Sequence, residues 1–470
     1  MLYKVLKYVN YFSFGYVCMN HKHIRYTCIS MKDSLDLLAR ATEVLEENDR
    51  KSYTVPAGDL YPHQWLWDSC FIAIGLRHID IERAKTELLS LIRGQWRNGM
   101  LPNMIFNNDP AYSRDRNAWR SWLSPYAPDG VATSGITQPP MLAEAVVRIG
   151  EMLAAPERRT WYRQMWPGLV AYHKWLYEDR DPHDEGLILL IHPWETGLDN
   201  TPPWMSELHE HQLSWWIRAM HKSGADNIVS LIRRDTRSVP ASERFSNVEV
   251  LALYDVQLRL RRKAYDIDKI LNHSMFTIED LGFNAIFIRA NQHLQTIAKS
   301  LKEPMPEGLL KRIKKTEAAF EGLWHDVSGQ YYSRNFITHD LIQEPSIATL
   351  LPLYAGTVTP ERAKRLVKML ESEHMFGLGY PVPSVPRSSS WFDPKRYWQG
   401  PTWLNMNWLV VDGLKRYGFH EHAALLTDLS IELVGRNGCT EYFDPLTGEA
   451  AGADNFSWTA ALAIDFLKQK

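Results

Sequence analysis

Two loops of this sequence hold carboxylates among aromatic rings. One reads Trp194-Glu195-Thr196-Gly197-Leu198-Asp199-Asn200-Thr201-Pro202, and the other Glu441-Tyr442-Phe443-Asp444-Pro445-Leu446-Thr447-Gly448-Glu449. Carboxyls arriving from two distant loops suit cleavage of a glycosidic bond. One, its pKa raised, protonates the leaving oxygen, while the other activates water or attacks directly. Asp199 and Glu441 fit these roles, and so do Glu195, Asp444 and Glu449. Residue type and spacing narrow the chemistry to the loops and leave the individual carboxylates open.

Four further segments set amides or carboxylates beside rings: Gln64-Trp65-Leu66-Trp67-Asp68, Gly94 to Pro102, Ser134 to Pro140, and Tyr397-Trp398-Gln399-Gly400-Pro401-Thr402-Trp403. A pyranose needs this combination, with donors and acceptors for vicinal hydroxyls and a flat apolar surface for its C–H face. The chain carries 18 Trp and 21 Tyr, rings that stack on sugars while offering an N–H or O–H. The competing reading is core filler and helix caps, and Trp67-Asp68 taken alone reads as a cap. Three histidines in the same loops, His63, His192 and His374, keep a sugar isomerase or epimerase in view, since that chemistry moves protons through imidazole. A sugar-binding protein without activity is the third reading, although binding alone does not call for paired carboxylates.

The elements that must position these loops are helical. Leu35, Leu37, Leu38, Ala41, Val44 and Leu45 recur at i, i+3, i+4 spacing in a helix from Ser34 to Glu47. Trp67 to Ile79 is apolar nearly all round, as a fully buried inner helix would be, whereas Ile81 to Ile92 is amphipathic. Pro139 and Pro140 open a helix with Met141, Leu142, Ala145, Val146, Ile149 and Met152 on one side. Further helices are predicted over 161–178, 208–222, 248–265, 278–302, 308–324, 360–372, 403–417, 420–434 and 456–468. No series of period-2 strands separates them, so the class is all-α. Buried and amphipathic helices in alternation predict an inner and an outer ring. The long loops at 53–66, 95–138, 182–207, 327–346, 374–402 and 437–455 would then meet at one mouth, and loops of that length are usually functional.

One catalytic domain over 31–470 accommodates this pattern, with a candidate inserted arm near 222–247. Residues 1–30 contain no Asp or Glu and no clear cleavage site, and read as an N-terminal extension outside the core. Lys and Arg (53) nearly balance Asp and Glu (55). This excludes nucleic acid and a membrane surface as the main partner and leaves a neutral or a small ligand. Cys18, Cys28, Cys70 and Cys439 lack zinc-ligand spacing and read as reduced thiols of a cytoplasmic protein. Asp444, Thr447, Glu449 and Asp454 match no calcium-loop spacing and read as turn residues. The chemistry needs no cofactor and no metal. Oligomeric state is not legible in the sequence.

Taken together and in this order, the WLWDS segment, GQW-x-NGMLPN, SGITQPP, E-x-G-x-DN, YW-x-GP-x-W and EYFDP-x-TGE followed by FSWTAA resemble glycoside hydrolase family 63. The branch most similar is the one holding mannosylglycerate and glucosylglycerate hydrolases, and the resemblance runs from about Tyr53 to Phe466. It implies an (α/α)6 toroidal barrel and hydrolysis with inversion, for which the carboxyls stand about 6.5–9.5 Å apart. The Asp of the DN pair, Asp199, would be the general acid, and the Glu opening the EYFDP segment, Glu441, the general base. By the same resemblance Trp65, Leu66, Trp67, Asp68, Gln95, Trp96, Gly99, Met100 and Gln138 would line the glycone site. Tyr397, Trp398 and Trp194 would approach the aglycone or the carboxyls, with Gln399, Trp403 and Tyr112 as further substrate contacts. Two positions depart from the pattern: Gln399, where many members carry Arg, and Thr201, where Ser is common. A glycerate leaving group would call for cationic or multi-donor partners, for which Arg387, Arg396, Tyr380 and Tyr397 are candidates. A trehalose-like substrate is the alternative within the same fold.

Overall fold

Helices apolar on every side alternate along this chain with helices apolar on one face, and a double ring results. The computed structural model describes residues 31–58, 60–205, 214–224, 233, 235–236, 239–272 and 276–469. The expected extension over 1–30 lies outside them, as do 225–232 and parts of 233–238 within the expected arm. Twelve helices build the ring: α1 (Met31–Glu47), α2 (Leu66–Leu76), α3 (Ile81–Arg93), α4 (Leu142–Glu151), α5 (Ala155–Asp179), α6 (Leu281–Leu301), α7 (Leu309–Phe320), α8 (Pro352–Ala355), α9 (Pro360–Glu371), α10 (Leu404–Arg416), α11 (His420–Asn437) and α12 (Ser457–Gln469).

The even-numbered helices form the inner circle. Each packs on the next in the order α2, α4, α6, α8, α10, α12, and α12 returns to α2. The odd-numbered helices lie outside, with α3 on α2 and α4, α5 on α4 and α6, and α11 on α10 and α12. Side-chain chemistry follows position. Every residue of α2 is buried, whereas α3 buries only Ala84, Glu87, Leu88, Ser90 and Leu91 and turns its other charges away from the core. Ring closure depends on close approach of the last helix to α2. A methyl group added at Gly75 would lie 2.4 Å from the backbone of Ala461, so even Gly75→Ala forces the two apart. Below that contact, Asp465 takes hydrogen bonds from Arg77 and Trp408, each at 2.8 Å.

Several boundaries differ from the sequence expectation for identifiable reasons. The helix expected from Ile278 begins at Leu281, because Ile278 and Glu279 pair with Asn335 and Arg334 and Asp280 caps the helix by accepting from Phe283 N. The segment 308–324 ends its helix at Phe320 and turns through 321–323 into a strand at Trp324–His325. In the stretch 208–222, helix is described from Trp215, and 206–213 lies outside the described residues. Leu35 and Met152, placed by periodicity on buried faces, are exposed. The inner helix α8 was not expected, and neither was the short helix Ser113–Trp119 within the 95–138 loop. Strands among the described residues are two or three residues long, so the molecule is helical as expected.

All the long connections enter inner helices, and they gather at one end of the ring. Tyr61, Asp199, Tyr397 and Glu441 meet there, although the first and last of them are 380 residues apart in the chain. Among the described residues, no helix is long and apolar enough to cross a membrane.

Candidate active site

The mouth of the ring is built on stacked indoles. Trp398 lies on Trp403 with ring centroids 3.7 Å apart and planes 3° from parallel. Trp67, in the first turn of α2, leans on Trp398 and meets Trp458 of α12 edge to face. Gly197, at φ +74°, lies so close over Trp67 that a side chain there would meet the indole ring at 2.6 Å. The loop carrying Asp199 therefore rests directly on this platform.

Asp199 stays partly exposed in the mouth. Its Oδ2 accepts a hydrogen bond from the Tyr397 hydroxyl at 3.1 Å. Surrounding protein pushes its carboxyl up to about 7 by desolvation. The Tyr397 hydrogen bond opposes that rise, the charge of Glu441 adds to it, and Arg244 reduces it slightly. Tyr397 holds the hydroxyl in place from a left-handed backbone, φ +47°, that a tyrosine seldom adopts. Trp403 Nε1 fixes that backbone by donating to the Tyr397 carbonyl at 2.9 Å. Next to Asp199, Asn200 is buried, takes Trp398 N on its Oδ1 at 2.8 Å, and receives Gln399 Nε2 on its carbonyl at 2.8 Å.

Glu441 is buried and surrounded by donors. Its Oε1 accepts from Tyr61 at 2.9 Å and from Arg244 Nη1 at 3.1 Å. Its Oε2 accepts from Ala453 N at 2.9 Å and from Arg244 Nη2. The Arg244 guanidinium also donates to the Tyr61 hydroxyl at 2.8 Å and lies among the rings of Tyr61, Tyr397 and Tyr442. Asp68 projects from the first turn of α2 toward the same carboxyls. Burial, then the charges of Asp199 and Glu441, hold its carboxyl well above the usual range. It is thereby suited to accept or donate a hydrogen bond to a sugar hydroxyl.

The other carboxylates that sequence left open are committed elsewhere. Glu195 is fully buried and takes both Nη atoms of Arg180 at 2.9 and 2.8 Å, together with Ile191 N and Thr137 N. Asp444 accepts Leu446 N and Thr447 N and closes a turn, and Glu449 pairs at the surface with Lys395. Two of the three histidines are occupied as well. His63 binds Asp115, His192 is buried between Trp194 N and Leu253 O with its imidazole pushed down to about 3, and His374 is exposed.

Not every residue expected at the sugar is aimed there. Gln95 donates to the carbonyls of Gly99 and Gly168 and so braces its own loop. Trp96 is buried with its Nε1 on Thr133, and Gly99 is pressed against the Ala171 carbonyl of α5. Leu66 and Met100 belong to the core, Gln399 is fully buried behind Asn200, and Trp403 forms the second layer of the stack. Trp65 keeps part of its ring open beside Tyr61, Gln138 buries an unpartnered Oε1, Trp194 stands against His192 and Trp119, and Tyr112 packs on His63. Of the cations proposed for a glycerate group, Arg396 is taken by Glu249 and Arg387 is exposed. Arg244 and Tyr61 were missed. Tyr61 lay in a loop already marked by its aromatic content, but no local pattern distinguishes Arg244.

Residues 61–459 match the family described as the mannosylglycerate hydrolase MGH1-like glycoside hydrolase domain. A mannosylglycerate hydrolase of Thermus thermophilus is 40% identical over 428 residues, covering 90% of this chain and 99% of the relative. The glucosylglycerate hydrolase of Mycolicibacterium hassiacum is 33% identical over 453 residues, covering 92% and 97%. The crystal structure of a GH63 mannosylglycerate hydrolase from Thermus thermophilus in complex with Tris and D-glycerate superimposes with a TM-score of 0.81 at 38% identity, covering 91% of this chain and 99% of that one. With its closed double ring of helices, this chain belongs to the mannosylglycerate hydrolase-like branch of glycoside hydrolase family 63 and is a glycosidase.

Proposed function

We propose that this enzyme hydrolyses an α-glycoside of glycerate, mannosyl- or glucosylglycerate, with inversion at the anomeric carbon. The observation that carries the reading is the contrast between two carboxyls at one mouth: Asp199, near 7, and Glu441, held by a guanidinium. A carboxyl near 7 keeps a proton to give at neutral pH, which is what a general acid requires. Asp199 would protonate the leaving oxygen, while Glu441 would take a proton from the attacking water. Asp68 would bind glycone hydroxyls over the Trp67–Trp398 platform. The names of the two relatives support glycerate conjugates as substrates, and Arg244 supplies a cation at the place where a glycerate leaving group would need one. The free thiols Cys70 and Cys439 support work in the reducing cytoplasm.

The test is turnover of purified protein on glucosylglycerate, mannosylglycerate, trehalose, kojibiose and nigerose, with Asp199→Ala and Glu441→Ala alongside. Hydrolysis of one glycerate conjugate, lost in both variants, establishes the reading and names the sugar. Turnover of the disaccharides alone would replace the substrate. Proton NMR of the freshly released sugar should show the β anomer first, and an α product would overturn inversion.

A further inference from the structure

A carboxylate has room for about four donors, and Glu441 has four: two from Arg244, one from Tyr61 and one from Ala453 N. In this arrangement the base has no lone pair to offer a water molecule. Only the Arg244 contacts are exchangeable. Ala453 N belongs to the same β-hairpin as Glu441, whose own N–H donates to the Ala453 carbonyl, and Tyr61 is wedged edge-on between Trp65 and Phe456. The backbone around Arg244 is pinned on both sides. The Glu243 carbonyl accepts from Tyr442, its carboxylate accepts from Gly452 N, the Phe245 carbonyl accepts from Arg233, and Ser246 forms a capping box with Glu249. What can change is the direction of the guanidinium, whose Nε is buried without a partner.

We propose that Arg244 is the specificity-determining residue of this enzyme and acts as a latch on Glu441 that the substrate's own carboxylate releases. The proposal rests on the reading that the leaving group carries a carboxylate. When such a group enters, the guanidinium exchanges one carboxylate for another of the same geometry and stays paired throughout. Glu441 is then left with Tyr61 and Ala453 N, and has lone pairs free to orient water and accept its proton. A neutral leaving group offers no such exchange. Freeing Glu441 would then strand a buried cation and a buried anion at once, and the penalty falls on turnover. Discrimination between charged and neutral glycosides thus operates on the catalytic base as well as on affinity.

The experiment compares mannosyl- and glucosylglycerate with the same sugars on glycerol, in which a CH2OH replaces the carboxylate, using wild type and Arg244→Gln. Wild type should prefer the glycerate conjugate by at least about 100-fold in kcat/KM. Arg244→Gln should lose activity on glycerate and gain it on glycerol, with the gain in kcat, an outcome that damage to the fold does not produce. Arg244→Lys, keeping the charge without the two-pronged fork, should fall between. If Arg244→Gln loses glycerate turnover and leaves glycerol turnover unchanged, Arg244 is only a receptor for the carboxylate. The latch is then overturned while the substrate reading stands. If both substrates fall together, Arg244 serves only to hold Glu441 in place, and the latch is again overturned. If wild type cleaves the glycerol conjugate as fast as the glycerate conjugate, or cleaves neither, the substrate reading fails and the latch with it.

Discussion

Two buried glutamates in this molecule are gripped by arginine in the same two-pronged way, yet their surroundings differ. Glu195 holds Arg180, which sits at the C-terminal end of α5, also pairs with Asp179, and lies over the Trp175 ring. Its remaining lone pairs take Ile191 N and Thr137 N, so it ties three separate segments together. Glu441 holds Arg244, which stands on an irregular segment, keeps an unpartnered Nε, and is enclosed by three tyrosine rings at the mouth. In the first pair every nitrogen of the guanidinium has a partner, and the pair joins helix to loop. In the second the carboxylate is full while the guanidinium Nε has none. Ion-pair geometry alone therefore does not distinguish a brace from a working part. The backbone that carries the arginine, and the donors it has left over, do.

Mutation of each carboxylate should separate the two. The largest effect on catalysis is expected from Glu441→Gln, a loss in kcat on the order of 1,000-fold measured on whichever glycerate conjugate the substrate panel selects. Its thermal stability should change less than that of Glu195→Gln. The latter leaves Arg180 charged in a sealed site and should cost about 3–5 kcal/mol, read as a lower Tm or denaturation midpoint. Equal losses of stability would erase the distinction. Asp199→Asn sharpens it from the acid side. The wild-type carboxyl ionises near 3.8 when unfolded and at about 7 when folded. The native state thus holds the extra proton between those values, and stability falls as pH rises through them. Asp199→Asn should therefore be more stable than wild type at pH 8, on the order of 2 kcal/mol after allowance for partial exposure, and no more stable at pH 3. The smallest expected effect is from Tyr397→Phe. Its hydroxyl favours the ionised acid, so removing it should move the alkaline limb of the kcat profile to higher pH. A shift to lower pH would mean that Tyr397 does not act through that hydrogen bond.

How much of this was legible in the sequence depended on distance along the chain. The rings were visible because burial on all sides, as in α2, and burial on one face, as in α3, write different local patterns. Helix α8 escaped because four residues, Pro352–Ala355, are too few to show a period, even though all are buried. The loops of the site were visible from their composition. The separation of Glu195 from Asp199 and Glu441 was not, since it rests on Arg180 and on Thr137, which lies 58 residues upstream of Glu195. Gln95 and Gln399 have a sugar-binding composition, yet their amides are spent on nearby carbonyls, a choice fixed by side-chain direction. Arg244 meets Glu441 across 197 residues with nothing local to mark it.

The seam between α12 and α2 has a bearing on the enzyme's birth. Contacts such as Arg77 to Asp465 span 388 residues, and contacts of that span are slow to form. During translation the loop with Asp199 and the early inner helices emerge long before Ser457–Gln469 does. Glu441 emerges only shortly ahead of that last helix. A nascent chain on the ribosome therefore holds one carboxyl of the pair and an open crescent of helices, with apolar α2 lacking its neighbour. On the roles proposed for Asp199 and Glu441, hydrolytic competence would arrive in a single late event, when α12 docks and the second carboxyl comes with it.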